Sequence, residues 1–362
     1  MLHLMTPTTS LAASMNKTIP SDFSRLAAQL NTPIVIGGKT IPNRLWLAPM
    51  AGLTHSAFRK VLGHYGSCGL AFTEMCNAKA VPTENPRVSP VFSWQECELP
   101  GLVCQLVGGT AEELVIAAKR VEREGFFGVD INMGCSARGM IKREAGAALL
   151  KTPEKAVSMV EAVRKAVSIP VFVKFRTGWS RDIAPAVALA RELEAVGVDC
   201  LVFHPRVAPD KRTRPPIIDH IRSIKEAVSI PVFGNGNVTT PQHCQDMLDS
   251  TGCDGVSVGR MAVARPWLFA QWTTGCAPDE NVFQEYVLRM ADALEQDFDP
   301  IRGIKRFHLF MVYFAANFRF GHSLQAVFST AKTMDDVRRL AKEHISPGMP
   351  LSISPNMNLY NF

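Results

Sequence analysis

From residue 45 to residue 258 the chain alternates short runs of β-branched and large apolar residues with longer stretches of helical period. The runs fall at 45–49, 70–74, 102–107, 129–133, 171–175, 200–204, 232–235 and 255–258. Between them the spacing predicts helices over 54–65, 110–124, 153–167, 183–196, 217–228 and 240–250, with a shorter one near 143–150. Strands that alternate with helices form a parallel sheet wrapped by those helices. Eight β/α units in one continuous stretch close into a barrel more readily than they spread into an open sheet. The expected fold class is therefore α/β, a (β/α)8 TIM barrel. The phrase Val-Ser-Ile-Pro-Val occurs twice, at 167–171 and 228–232, and repeats one helix-to-strand junction, as a periodic design would.

Beyond Gln271 the pattern changes to long helical periodicity, with segments at 283–298, 301–318 and 334–344. The barrel is thus expected to be followed by a smaller all-helical C-terminal domain. The expected division is a loose leader over 1–35, the barrel over 36–272, the helical domain over 273–346 and a tail over 347–362. The first residues are rich in Thr, Ser and Pro and lack both a basic start and an apolar run long enough for a signal peptide or a membrane span. With 362 residues, 47% hydrophobic and 20% charged, the chain can bury a large core and a smaller accessory unit. Nine cysteines, an odd number with no C-x-x-C pair, argue against a disulfide framework and point to a reducing compartment, expected to be the cytoplasm. No residue is assigned to a metal, and neither a membrane nor a stable protein partner is implied.

In a β/α barrel the chemistry sits on the loops that leave the C-terminal ends of the strands. Here those ends carry Pro49, Met50 and Ala51 after strand one, Gln105 on strand three, and Asn132 and Cys135 after strand four. Strand five adds Lys174 and Arg176, strand six His204 and Arg206, strand seven Asn235, Gly236 and Asn237, and strand eight Gly259 and Arg260. Glycines after the last two strands, with an arginine and a following helix, form the usual phosphate cradle of this architecture. No G-x-G-x-x-G opens a helix after an early strand, which argues against a dedicated dinucleotide domain. A monophosphate cradle with a buried Lys, a His and a Gln suits FMN, and a cation such as Lys174 near the flavin N1/C2 edge would favour the anionic reduced ring. Lys174 has two other readings, an ion pair inside the barrel or a Schiff-base lysine. Cys135 has one, a small buried hydrophobe.

Between Pro300 and Met334 lie Arg302, Lys305, Arg306, Arg319 and Lys332, with no acid, interleaved with Phe307, Phe310, Tyr313, Phe314, Phe318, Phe320 and Phe328. Cations for phosphates and rings for unstacked bases suit a nucleic-acid face. The competing reading makes the rings core and the cations a solvated rim.

Taken together, these motifs resemble the tRNA-dihydrouridine synthases of the bacterial branch. The resemblance runs from about Ile41 to about Arg319. It rests on Leu47 to Thr54, Thr73-Glu74-Met75, Asp130 to Cys135 with Gly146 to Leu150, Val173 to Trp179, Asn235-Gly236-Asn237, and Gly259-Arg260 with Arg265-Pro266-Trp267. It implies an FMN-bound barrel with a helical domain that grips tRNA. FMN contacts would fall on Pro49, Met50, Ala51, Gln105, Lys174, His204, Asn235, Gly236, Asn237, Gly259 and Arg260, and Cys135 would be the catalytic acid. The implied chemistry is hydride delivery from the flavin to C6 of uridine with a proton to C5, and NADPH as a transient reductant that leaves before RNA binds. A thiol is mostly protonated near neutrality and can serve as that acid.

Asn132 and Arg176 are candidates for reading the uracil edge. Arg138 and Lys142, with Arg143, are candidates for the RNA backbone, as are Lys211, Arg212 and Arg214 in the loop after strand six. The chain departs from the family pattern at Ser136, where Pro is common, at Arg138-Gly139, where a basic pair is common, and at His204-Pro205-Arg206-Val207 with the insertion-like stretch over 208–216. A reductase of free pyrimidines or enones, and an RNA-binding chaperone that has lost catalysis, are the competing functional readings.

Overall fold

The computed structural model describes residues 24–208, 210, 214–353 and 355–357. The eight expected runs form β1 (Leu45–Leu47), β2 (Ala71–Phe72), β3 (Leu102–Val107), β4 (Gly128–Met133), β5 (Val171–Gly178), β6 (Cys200–Val207), β7 (Val232–Asn235) and β8 (Gly255–Val258). Every neighbouring pair from β2 through β8 and on to β1 is parallel. The ring is drawn together between β1 and β2 by Leu47 N–H donating to Leu70 O at 2.9 Å and Gly69 N–H donating to Leu45 O at 3.0 Å. Helices α1 (Ser56–Tyr65), α2 (Ala111–Arg123), α3 (Pro153–Ala166), α4 (Ala184–Ala195), α5 (Asp219–Ala227) and α6 (Pro241–Thr251) lie between the strands. Their starts follow local chemistry. Thr110 and Thr240 each accept a backbone N–H three residues on, and Pro sits in the first turn of α3, α4 and α6.

Because side chains alternate along a strand, each barrel strand carries two sequences at once. The outward set, including Leu45, Leu106, Ile131, Val173, Leu201 and Val256, packs under the helices in one large core. The inward set begins apolar: Trp46, Phe72, Val103, Phe172, Val202 and Phe233 fill the lower barrel. Trp46 stacks on Phe233 with ring centroids 3.3 Å apart. Gly255 makes room for that stack, since a Cβ there would lie 2.2 Å from Phe233 Cε1. A hairpin of Ile34–Ile36 and Lys39–Ile41 adds Ile34, Ile36 and Ile41 to this cluster and closes the N-terminal end. On six of the eight strands the same inward parity turns polar toward the mouth, at Glu74, Gln105, Asp130, Lys174, His204 and Asn235.

The expected loose leader over 1–35 needs correction. Residues 1–23 lie outside the described residues, but Ser24–Leu30 is a helix whose Leu26, Ala27 and Leu30 are buried, and the hairpin begins at Ile34. The apolar face of this helix is too short to show a helical period, and it is packing rather than propensity that holds it.

After two short helices, Arg260–Ala264 and Leu268–Thr274, comes the helical unit: α7 (Val282–Asp297), α8 (Pro300–Ala315), α9 (Gly321–Phe328) and α10 (Met334–His344). Asp299 caps α8 through the backbone N–H groups of Ile301 and Arg302, and Thr333 with Asp336 forms a capping box on α10. The helix expected to run to 318 ends at Ala315. The chain turns so closely that a Cβ on Gly321 would fall 2.0 Å from Ala315 O, and α9 starts there. Phe307, Phe310, Tyr313, Phe314, Phe318 and Phe328 are all buried, and only Phe320 is exposed. Of the two readings of these rings, core or base-stacking face, the core one holds for the six buried rings. Arg302, Lys305, Arg319 and Lys332 are the exposed rim.

Candidate active site

At the C-terminal mouth of the barrel, Cys135 stands just beyond β4, partly exposed. Its position is fixed from the strand below. Asn132 Oδ1 accepts the backbone N–H of Gly134 at 3.1 Å and of Cys135 at 2.9 Å, while Asn132 Nδ2 donates to Gln105 Oε1 at 2.8 Å. Gln105 Nε2 in turn donates to Asp130 Oδ2 at 2.6 Å. Asn132, read from the sequence as a uracil contact, thus has its oxygen committed to the turn that presents the thiol, an Asx-type device. Gln105 is likewise a link in this network, buried with both ends engaged. Gly146, with φ +62°, closes the turn from behind; a Cβ there would lie 2.6 Å from Cys135 O.

Asp130 stands two residues before Asn132 on the same inward face of β4. Its carboxylate is fully buried and Oδ1 has no hydrogen-bond partner among the described residues. Burial raises its pKa to about 6, against the opposing pull of Gln105 and Lys174. Lys174, opposite Asn132 in the β4–β5 register, keeps partial access to the mouth. Burial and the neighbouring Arg176 lower its pKa to about 8, with Asp130 and Cys135 acting the other way. Arg176 runs beside the Cys135 turn, its Cγ 3.6 Å from where a Gly134 Cβ would sit. His204 faces Arg176 across the β5–β6 register. Burial, then Arg176, Lys174, Arg206 and Arg260, hold its pKa well below the usual imidazole range, so it is neutral at physiological pH. The mouth therefore concentrates positive charge around one neutral imidazole.

On the opposite wall the loops after β7 and β8 meet. Asn235 Nδ2 donates to Ser257 O at 2.7 Å, and Asn237 Oδ1 accepts from Arg260 Nη2 at 3.0 Å. Gly236 and Asn237 both have positive φ, +135° and +52°. A Cβ on Gly236 would lie 3.0 Å from His204 Cδ2, and one on Gly259 would lie 2.7 Å from Met50 Sδ. Both glycines thus let His204 and Met50 pack closer to the backbone of these loops than a Cβ would permit. Pro49, Met50 and Ala51 form the facing loop after β1, partly or fully exposed. A cavity of about 660 Å³ adjoins this wall, lined in part by Gly236, Asn237, Arg260 and Met357.

Other expected contacts are dispersed. Arg138 and Lys142 lie on a short exposed helix after Cys135, with Arg143 just beyond it. Arg214 pairs with Asp210 at 2.6 Å, while Lys211 and Arg212 lie outside the described residues. Among the described residues, no helix is long and apolar enough to cross a membrane.

Sequence reasoning gave no role to Asp130, Glu74 or Ser257, and read Arg306 only as a cation for RNA phosphates or a solvated rim, whereas it pairs with Glu74. The first three share the inward parity of their strands with recognised site residues, which is a usable signal. Arg306 reaches the barrel from α8, and no local pattern announces that.

The cavity lined by Gly236, Asn237 and Arg260, the unpartnered Asp130 Oδ1 and a buried Ser257 Oγ in the same condition fit an oxygen- and nitrogen-rich ring with a phosphate tail better than they fit an apolar ligand. Comparisons with known proteins bear on the same site. Residues 46–346 match the family described as dihydrouridine synthase (Dus). The chain is 38% identical over 236 residues to tRNA-dihydrouridine synthase B of Pseudomonas aeruginosa, covering 65% of this chain and 70% of that protein. It is 35% identical over 277 residues to the protein of the same name from Pseudomonas putida, covering 75% and 82%. Among solved structures, TcOYE in complex with pHBA aligns with a TM-score of 0.53 at 13% identity, covering 75% of this chain and 99% of that one, a likeness of fold alone. The matched span runs from β1 through α10 and takes in the Cys135 turn, the cradle and the helical unit, so the chain belongs to the dihydrouridine synthase family.

Proposed function

We propose that this protein reduces particular uridines of tRNA to 5,6-dihydrouridine, with FMN as resident cofactor and NADPH as reductant. The observation that carries the proposal is the Cys135 turn: Asn132 and Gly146 hold a partly exposed thiol at the barrel mouth beside Lys174 and Arg176. Bound and reduced, FMN supplies hydride for C6 of the uracil.

The chain's own residues do the rest. Asn235, Gly236, Asn237, Gly259 and Arg260 would hold the phosphate, and Pro49, Met50, Ala51, Gln105 and neutral His204 would hold the ring. Lys174 brings positive charge to the ring edge. Arg176 donates to a uracil carbonyl, Asn132 offers its remaining N–H, and the Cys135 thiol gives a proton to C5. A uridine folded into RNA must be extruded to reach this depth, at a cost of a few kcal/mol of unstacking. Arg138, Lys142 and Arg143, exposed beside the mouth, offset that through phosphate contacts. NADPH and RNA take turns at the same mouth.

The test is dihydrouridine mapped position by position in tRNA from cells lacking the gene, before and after adding the purified protein with NADPH. Missing positions that are restored support the reading and identify the target uridine. If nothing is missing and nothing is restored while the protein carries flavin, reduction of a small enone or free pyrimidine takes its place.

A further inference from the structure

Glu74, at the mouth end of β2, joins two parts of the molecule 232 residues apart in sequence. One carboxylate oxygen, Oε2, accepts from Arg306 Nη1 of α8 at 3.0 Å. The other, Oε1, accepts the backbone N–H of Gly52, at the end of the loop that begins with Pro49, Met50 and Ala51. Glu74 is 3% exposed, so neither partner has water as a ready substitute. Arg306 is itself held on three sides: Nη2 donates to Pro90 O at 2.8 Å, and the guanidinium lies over the Phe298 ring at 4.5 Å. Helix α8 touches the same loop a second time. Gly52 has φ +77°, and a Cβ on it would meet Leu309 Cδ2 at 2.7 Å.

The surroundings are charged but closed. Arg59 pairs with Glu98 at 2.6 Å and donates to Thr54 O and Ser93 O, and buried His55 is kept neutral by desolvation and by Arg306 and Arg59. Burial raises the pKa of Glu74, while Arg306, the Gly52 N–H and Arg59 pull it back. Without Arg306 the carboxylate would keep one backbone partner in a dry site, and Gly52 would lose a charged acceptor.

We infer that Glu74 is a positioning residue: by pairing with Arg306 and Gly52 it makes docking of the helical unit set the shape of the 49–52 loop, and so of the wall against the cofactor. The inference rests on the flavin reading above. It predicts that a residue of the helical unit governs cofactor affinity in the absence of any RNA.

The experiment titrates FMN into the apoprotein by quenching of flavin fluorescence, and records the visible absorbance of the holoenzyme. Arg306→Met should weaken FMN about tenfold and shift the visible band, as should Glu74→Gln. The double variant should be within about twofold of the weaker single one, because both act through one anchor. Arg306→Lys, which keeps a cation on Glu74, should recover most of the affinity and guards against a variant that merely fails to fold. Arg338→Ala is the control: it removes bonds to Asp292, Glu295 and Asp335 inside the helical unit, and should leave FMN binding unchanged. Unchanged FMN affinity and spectrum in folded Arg306→Met, fully additive losses, or an equal loss in Arg338→Ala would each overturn the inference. A wild-type protein that takes up no FMN would overturn the flavin reading and this inference with it, and the wild-type titration alone separates that failure from the others.

Discussion

Two side chains at the mouth make opposite demands on their surroundings. Cys135 is the proposed proton donor, so Cys135→Ala should lower reduction of tRNA uridine by about 10²- to 10⁴-fold while RNA affinity, measured by gel shift, is unchanged. Lys174, in the proposed reaction, acts through its charge. Burial and Arg176 bring its pKa down to about 8, and a lysine is charged only below its pKa. The rate of flavin reduction by NADPH is therefore expected to fall as pH rises through about 8, and Lys174→Met should remove that limb, as stopped-flow absorbance would show. The same shift has a stability counterpart with a defined sign. Between pH 8 and the unfolded lysine value of 10.5 the unfolded chain binds more protons than the native one, so this residue's contribution to stability rises with pH in that window. A lysine in the barrel could be read from the sequence. Its softened charge could not, because the burial that does most to lower its pKa arises only when the barrel closes around it.

At the scale of elements, the strands were legible because each carries two codes, one apolar for the helices and one that passes from aromatic to polar toward the mouth. Three runs, β3, β7 and β8, have the bounds the pattern predicts, whereas β5 and β6 extend three residues further, carrying Arg176 and Arg206 within the sheet. Elements held by packing or by tight turns were less visible: Ser24–Leu30 and α9 have no long period of their own. Turns that shape the site depend on single glycines. Gly146→Ala would force a left-handed backbone on a residue with a Cβ and drive that Cβ toward Cys135 O, and is expected to lower stability by about 1–3 kcal/mol in denaturant unfolding. It should also slow turnover by displacing the thiol.

Across the whole molecule, the barrel and the helical unit are joined by buried polar contacts as well as by apolar packing. Asn317, fully buried, donates from Nδ2 to Ala264 O at 2.8 Å, accepts from Arg265 Nε at 2.7 Å, and through its backbone oxygen accepts Ser352 N–H at 2.7 Å. Replacing it with Ala would leave a partly buried guanidinium and a carbonyl without that partner, a loss of about 3 kcal/mol that calorimetry should register as a lower Tm. The described part of the C-terminal stretch also returns to the site, where Arg260 Nη1 donates to Met357 O at 2.6 Å.

The amino-acid sequence by itself determined the alternation of eight strands and helices, the change to a helical unit, and the residues standing at the strand ends, because periodicity and turn chemistry are local properties of a chain. It also carried the motifs of the family. Only the tertiary structure decided that Asn132 is braced by Gln105, that the aromatic residues of α8 are core, and that Glu74 meets Arg306. Those outcomes depend on which surfaces come together when the barrel closes and the helical unit docks, and contacts between distant segments leave no trace in the spacing of either one.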